Sequence, residues 1–289
     1  MFGLATEAAL AAFQQVRGLQ VDGVADEVTW AALQEASWQL GDRHLYFRTP
    51  NLRGDDVAEL QRMLGPLGFD PGRVDGIFGP LARRAVSEFQ ENVGLEADGV
   101  CGYRTLDALR RVGGRLTDAH PVASVREHEV LRGFTPRLSR KRVVVGCFGG
   151  LDGIARTVSR QLRTGGASVA EVDQADGSGQ AASANRFGAD VYVGLAAADV
   201  TRVSYYEVPG FVSLGGRRLA ELLVERLFDA GLEPGAPRGM RHAVLRETRM
   251  PAVLVEVGPI AVVVGCAAEV AEAMSMALRR WVDTPVLPA

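Results

Sequence analysis

The chain has 289 residues, 47% hydrophobic and 23% charged, which is enough to bury a sizeable core in one large or two to three small domains. Its 32 Lys and Arg against 35 Asp and Glu leave a net charge of -3, which excludes a nucleic-acid binder held by phosphate neutralisation. No run approaches the ~18 apolar residues of a membrane helix, and three scattered cysteines exclude a disulfide scaffold.

The chain opens on a repeat. Phe2-Gly3 matches Phe78-Gly79, Phe13-Gln14 matches Phe89-Gln90, and Asp22-Gly23-Val24 matches Asp98-Gly99-Val100, all at a constant offset of 76 residues (Phe2 to Phe78). The second copy is longer at its front and starts near Leu52. In the first copy Met1 stands at the place of Ile77, so that copy is expected to be truncated, with an exposed apolar face, and the lack of a signal peptide says little about location. Each copy reads as short helices around one core. In the second, Val57, Leu60, Gln61 and Leu64 have helical spacing, and Gly65-Pro66 and Gly68 end that helix. Asp75-Gly76 is a turn, and Pro80 opens a helix striped by Ala82, Ala85, Val86 and Phe89. Asp98-Gly99 is a second turn, before a helix carrying Leu106 and Leu109.

Residues 113–140 are charged and broken by Gly113-Gly114, Pro121, Gly133 and Pro136, and read as a linker. His120, Glu127, His128 and Glu129 fall there without the spacing of a metal site. From Lys141 strands and helices alternate. Strands are expected at 143–145, 167–172, 189–195 and 251–258, and helices around Ile154–Leu162, Leu219–Leu227 and Val270–Trp281. Apolar strands alternating with helices predict an α/β domain with a mainly parallel sheet. The expected order is 1–37 and 51–112 as two small all-α three-helix modules, the first truncated, then the linker, then the α/β domain at 141–284.

The string Asp75-Gly76-x-Phe78-Gly79, Phe89-Gln90 and Asp98-Gly99 resembles the peptidoglycan-binding type 1 domain. That resemblance implies a three-helix unit that holds wall glycan or stem peptide in a shallow groove. Taken singly, these residues are only turns and core. The C-terminal domain resembles the zinc-dependent N-acetylmuramoyl-L-alanine amidases, most strongly over Val244-Leu245-Arg246 and Met250–Gly258. Those enzymes cut the amide joining muramic acid to the first alanine of the stem peptide. Their chemistry needs three protein ligands on zinc, an open position for water, and a nearby carboxylate for proton transfer.

By that resemblance the metal site here is broken. Phe148 stands where the first zinc histidine is expected and Ala196 where the second is expected. Of the shortened segment that should supply the ligand glutamate, only Asp152 is acidic. The late catalytic glutamate survives as Glu256. Cys147 and Arg246 are the further cleft candidates. Cys147 lies one strand step from the lost position, so it points the wrong way, and a lone buried cysteine makes a poor nucleophile. His242, read as lying just before a strand, adds too little to rebuild a site. Glu256 reads as a catalytic relic, a ligand-orienting acceptor, or a structural acid paired with Arg246 or Arg249.

The implied function is that of an amidase-like pseudoenzyme which binds peptidoglycan or its precursors and regulates cell-wall synthesis or remodelling, similar to actinobacterial regulators of precursor synthesis. No cofactor is expected. The expected partners are peptidoglycan or its precursors and cell-wall synthesis proteins, with no nucleic acid and no transmembrane segment. The expected location is cytoplasmic, with membrane association through partners; a wall-associated extracellular location is the alternative. The alternative activity is that of an active zinc amidase, with zinc as its cofactor.

Overall fold

The computed structural model describes residues 3–113 and 122–285. Met1 and Phe2, where the first repeat opens, and His120 lie outside them. The chain divides into two compact units, Met1–Arg126 with Val208–Phe211, and Glu127–Glu207 with Val212–Ala289.

The first unit is helical: α1 (Leu4–Arg17), α2 (Glu27–Ala36), α3 (Asp55–Leu64), α4 (Pro80–Asn92) and α5 (Tyr103–Gly113). Its core joins Val57, Leu60 and Leu64 of α3, Ala85 and Phe89 of α4, and Leu106 and Leu109 of α5, with Phe78 fully enclosed. The same glutamine latch occurs three times. Gln90 Nε2 donates to Asp98 Oδ1 at 2.8 Å, to Val100 O at 3.0 Å and to Thr105 Oγ1 at 3.0 Å, while its Oε1 accepts the Gly99 N–H at 2.9 Å. Gln14 treats Asp22, Val24, Thr29 and Gly23 in the same way. Gln61 does so with Asp75, Ile77 and Gly76. Each latch fixes an Asp-Gly turn to a helix, and each turn glycine has a left-handed φ (69° at Gly23, 69° at Gly76, 73° at Gly99). Leu106 is 5% exposed beneath α3, whereas Trp30, its counterpart at the 76-residue offset, is 57% exposed.

The stretch read as a linker holds α6 (Val122–Arg132). Leu131 is 2% exposed in the core of the second unit, and Phe134 meets Trp281 edge-on at 5.4 Å. Gly133 and Pro136 therefore follow a helix instead of marking a bare connection.

The second unit runs β1 (Arg142–Cys147), α7 (Asp152–Thr164), β2 (Ser168–Asp173), α8 (Gly177–Phe187), β3 (Val191–Ala197), β4 (Arg202–Val208), β5 (Phe211–Val212), α9 (Leu214–Asp229), β6 (Arg238–Met240), α10 (Ala243–Glu247), β7 (Ala252–Val257), α11 (Ile260–Gly265) and α12 (Ala267–Asp283). The sheet order is β2-β1-β3-β7-β4-β5, with β6 on β4. The pairs β1–β2, β1–β3 and β3–β7 are parallel, and β4 runs antiparallel to β7. This is an α/β fold with a mainly parallel sheet. One face carries Val143, Val145, Val193, Leu195, Val253 and Val255 against α7, α9 and α12. On the other face Tyr192 donates to Gln180 Oε1 of α8 at 2.6 Å, and Gln180 donates to the carbonyls of Cys147 and Gln174. Gly146 lies under that pair: a Cβ there would sit 2.0 Å from Gln180 Oε1 and 2.2 Å from the Tyr192 hydroxyl.

Two stability predictions result. Gln90→Ala strands the buried Gly99 N–H and lowers the unfolding free energy by ~1–3 kcal/mol or more, whereas Arg84→Ala, which removes an exposed pair with Glu88, leaves the urea midpoint unchanged. Gly146→Ala overpacks the α8 face and costs ~1–3 kcal/mol. A urea melt of Gly146→Ala that overlays the parent curve would contradict the packing described.

Candidate functional site

Parallel strands deliver their C-terminal ends to one edge of the sheet, where open α/β folds place ligand sites. Three strands do so here. Phe148 leaves β1 with its N–H bonded to Leu195 O at 2.9 Å. Ala196, next to last in β3, lies directly opposite Glu256 of β7 in the ladder. Alternation puts Ala196 and Glu256 on the face opposite Leu195 and Val255, which belong to the α7–α9–α12 core. The sequence-predicted positions Phe148, Ala196 and Glu256 thus gather at the ends of three adjacent strands.

The chemistry of the site follows from its side chains. Phe148 is half-buried and meets the His242 ring edge-on at 5.7 Å and 89°. His242 precedes a helix, not a strand: it is the N-cap of α10, with Nδ1 accepting the Val244 N–H at 3.3 Å. That bond leaves the ring proton on Nε2. Burial holds the imidazole below its ordinary pKa. Gly177, at the start of α8, closes on the same ring, since a Cβ there would lie 3.1 Å from His242 Cε1. Glu256 pairs with Arg202 at 4.0 Å, the residue facing it across the β7–β4 ladder. The cation is thus Arg202 on the antiparallel β4, a strand without a sequence signal, and not the expected Arg246 or Arg249. Arg246 lies in α10 and is 8% exposed. Gly258, just past β7, carries no side chain because a Cβ would fall 1.8 Å from Ala198 O.

Cys147 does not join this group. Its side chain packs with Val143 and Val145 on the opposite face, one strand step away from Phe148. Burial pushes the Cys147 thiol up; the N–H groups of Gly149 and Leu151 act against that rise, and the carboxylates of Asp152 and Asp173 add to it. A tested fit to a zinc ion at Phe148, Ala196 and Glu256 fails on donor chemistry. Phenylalanine and alanine have no lone pair to give, and Glu256 alone cannot make a three-ligand site.

In the helical unit Asp75, Gly76, Gln90, Asp98 and Gly99 are consumed by latches, and Phe78 and Phe89 are core. Gly79 caps α4. None of these offers a free recognition group. Among the described residues of this unit the exposed aromatics are Tyr103 at 80%, Trp30 at 57%, Tyr46 at 42%, Phe47 at 39% and Trp38 at 38%. The sequence reading passed over them because exposure is invisible to a motif.

The architecture is that of a helical unit that carries the repeated latch, followed in the chain by an α/β unit. A family model described as a putative peptidoglycan binding domain matches residues 1–33 and 53–109. N-acetylmuramoyl-L-alanine amidase CwlM of Mycobacterium tuberculosis is 36% identical over 297 residues, covering 90% of this chain and 72% of that protein. The chain belongs to the CwlM family. A spore cortex-lytic enzyme of Oceanobacillus iheyensis is 46% identical over 56 residues, 19% of this chain and 20% of its own length. Among solved structures, an N-acetylmuramoyl-L-alanine amidase from Clostridium difficile 630 aligns with 50% of this chain and 98% of its own at 19% identity and a TM-score of 0.43.

The lowered pKa of His242 has a measurable consequence. Both folded and unfolded chains hold it neutral above the ordinary imidazole value of ~6.5. As pH falls below that value, the unfolded chain takes the proton first, so stability drops until pH passes the folded value. An NMR titration of His242 is expected to give a midpoint below the ordinary one, and a midpoint at or above it contradicts the buried N-cap geometry.

Proposed function

We propose that this protein is a pseudoenzyme of the amidase fold that binds peptidoglycan or its precursors and regulates cell-wall synthesis or remodelling. The observation that carries the reading is the composition of the strand-end site. Phe148 and Ala196 stand at the positions where the amidase resemblance expects zinc histidines, and Glu256 is matched by Arg202 instead of a metal. What is left is a surface with an aromatic end at Phe148 and His242 and a charged end at Glu256 and Arg202. Such a surface can hold a ligand, but Phe148 and Ala196 offer no donors to hold the zinc ion through which the amidases activate water.

The Gln14 latch, laid out like that of Gln90, supports reading residues 1–37 as a second copy of the module beside 51–112. The proposed ligands are wall glycan, stem peptide or their precursors, and the proposed partners are proteins of wall synthesis. The proposed location is the cytoplasm. Among the described residues no helix is long and apolar enough to cross a membrane. The competing reading, an active zinc amidase, draws on the name carried by CwlM.

The test is incubation of the full chain with purified muropeptides and added zinc, followed by chromatography of released stem peptides, with a parallel pelleting assay on isolated sacculi. The expected result is co-sedimentation without release. Stem-peptide release above a protein-free blank overturns the pseudoenzyme reading. Absence of binding to sacculi, muropeptides and lipid-linked precursor alike overturns the binding reading.

A further inference from the structure

In the helical unit the Gln90 latch brackets a short surface segment. Its amide donates to Val100 O on one side and to Thr105 Oγ1 on the other, both at 3.0 Å. Between those grips Cys101 pairs antiparallel with Leu45 through two backbone bonds, Leu45 N–H to Cys101 O at 3.1 Å and Cys101 N–H to Leu45 O at 2.8 Å. Leu45 and Cys101 both belong to the core. Alternation therefore turns His44 and Tyr46, on either side of Leu45, to the outer face. The His44 ring lies beside Gly102, where a Cβ would sit 3.7 Å from its Nε2. Tyr103, the next residue, opens α5 and stands clear of the surface.

Two features set these rings apart from ordinary surface aromatics. Among the described residues neither Tyr46 nor Tyr103 has a hydrogen bond, an ion pair or a ring contact, whereas Trp38 carries the Arg43 guanidinium at 4.3 Å from its ring centre. Unpaired tyrosines on a backbone held by the latch and the bridge offer an apolar face and a hydroxyl together, as binding surfaces do. The other copy of the repeat keeps the latch without the rings. At the 76-residue offset Gly102 and Tyr103 correspond to Asp26 and Glu27, and Asp26 caps α2 by accepting the Thr29 N–H at 2.7 Å. The latch is thus a shared scaffold, and this ring face belongs to the second copy alone.

We propose that His44, Tyr46 and Tyr103 form the face on which this unit holds the glycan strand of peptidoglycan. The face rests on the peptidoglycan-binding reading and narrows it to the sugar chain. In a β-linked N-acetylhexosamine strand the ring substituents lie equatorial, so each sugar shows an apolar C–H face and a polar edge. The C–H face stacks on a tyrosine ring, and the edge meets a phenol hydroxyl or an imidazole nitrogen. Gly102 puts no side chain between His44 and Tyr103, so a sugar can reach both from the same side. Rings on two segments of the chain suit consecutive sugars of a strand better than a single unit.

The experiment is an NMR titration of the full chain with the N-acetylglucosamine hexamer, its dimer and a free stem peptide, each alone. The expected result is saturable shifts at His44, Tyr46, Gly102 and Tyr103 with the hexamer, tighter than with the dimer and absent with the stem peptide. Tyr103→Ala changes a residue outside the core, is expected to keep the urea midpoint, and weakens hexamer binding ~2–10-fold, the range of one lost aromatic contact. Tyr103→Phe is expected to bind close to the parent, and Trp30→Ala, in the first copy, to bind as the parent does. Shifts confined to other residues, equal affinity for dimer and hexamer, binding of the stem peptide alone, or unchanged affinity in Tyr103→Ala each overturns the face. Pelleting with sacculi separates the face from the reading it rests on. If the parent and a Tyr46→Ala, Tyr103→Ala double variant pellet alike, the face alone falls. If the chain takes the hexamer on these rings yet binds neither sacculi nor lipid-linked precursor, the wall-binding reading alone falls.

Discussion

The register of β1, β3 and β7 sets where everything chemical in the second unit can be. Parallel pairing places Phe148 beyond Cys147, Ala196 opposite Glu256, and both at one end of the sheet. A slip by one residue would exchange the faces, driving Glu256 into the apolar layer and turning Val255 outward. Glycines at close approaches resist that slip. Gly146 fits only because Tyr192 and Gln180 bond directly above it, and Gly258 only because Ala198 O presses against it. The same alternation separates Phe148, which turns to His242, from Cys147, which packs in the core on the other face.

The helical unit solves a different problem with a repeated device. A short three-helix module has little core, so its turns must be held by polar bonds. A glutamine carboxamide suits this task because it both donates and accepts. Its amide reaches the Asp side chain and a carbonyl beyond the turn, while its oxygen takes the glycine N–H. The same bonds hold the Asp98 carboxyl below the usual range, led by the N–H of Val100 with Gln90 next. Residues so occupied cannot also grip a ligand. Recognition by this unit therefore falls to surface groups outside the motif.

Much of this architecture is legible in the amino-acid order. The Asp-Gly turns, the Phe and Leu stripes and the Val-rich strands announce themselves through spacing and apolar runs. The parallel character of the sheet follows from alternation of strands and helices. Other elements carry no such signal. α8 mixes Gly, Ser and Asn, which form helices poorly, with alanine, and Asp176 caps it and Gln180 anchors it. β4 carries charge at both ends and pairs antiparallel, against the trend of its neighbours. α6 hides between glycine and proline breakers and is held by Leu131 in the core. At the site, the absence of metal-donor atoms from Phe148 and Ala196 is written in the residues themselves. The Arg202 partner and the edge-on His242 are products of tertiary pairing and have no local signature.

Glu256 shows how an acid persists in an apolar strand. Fully buried and unpaired, it would carry a large desolvation cost or give up its charge. Its side chain is instead 23% exposed, and Arg202 at 44% faces it across the ladder. A cross-strand pair of this kind is worth only ~0.2–1 kcal/mol, so it does not hold the fold together. Its effect is to balance charge locally, the task a bound cation performs in a metal site. With an arginine on the antiparallel neighbour in that role, Glu256 stands beside Phe148 and Ala196 without leaving a naked carboxylate at the sheet edge.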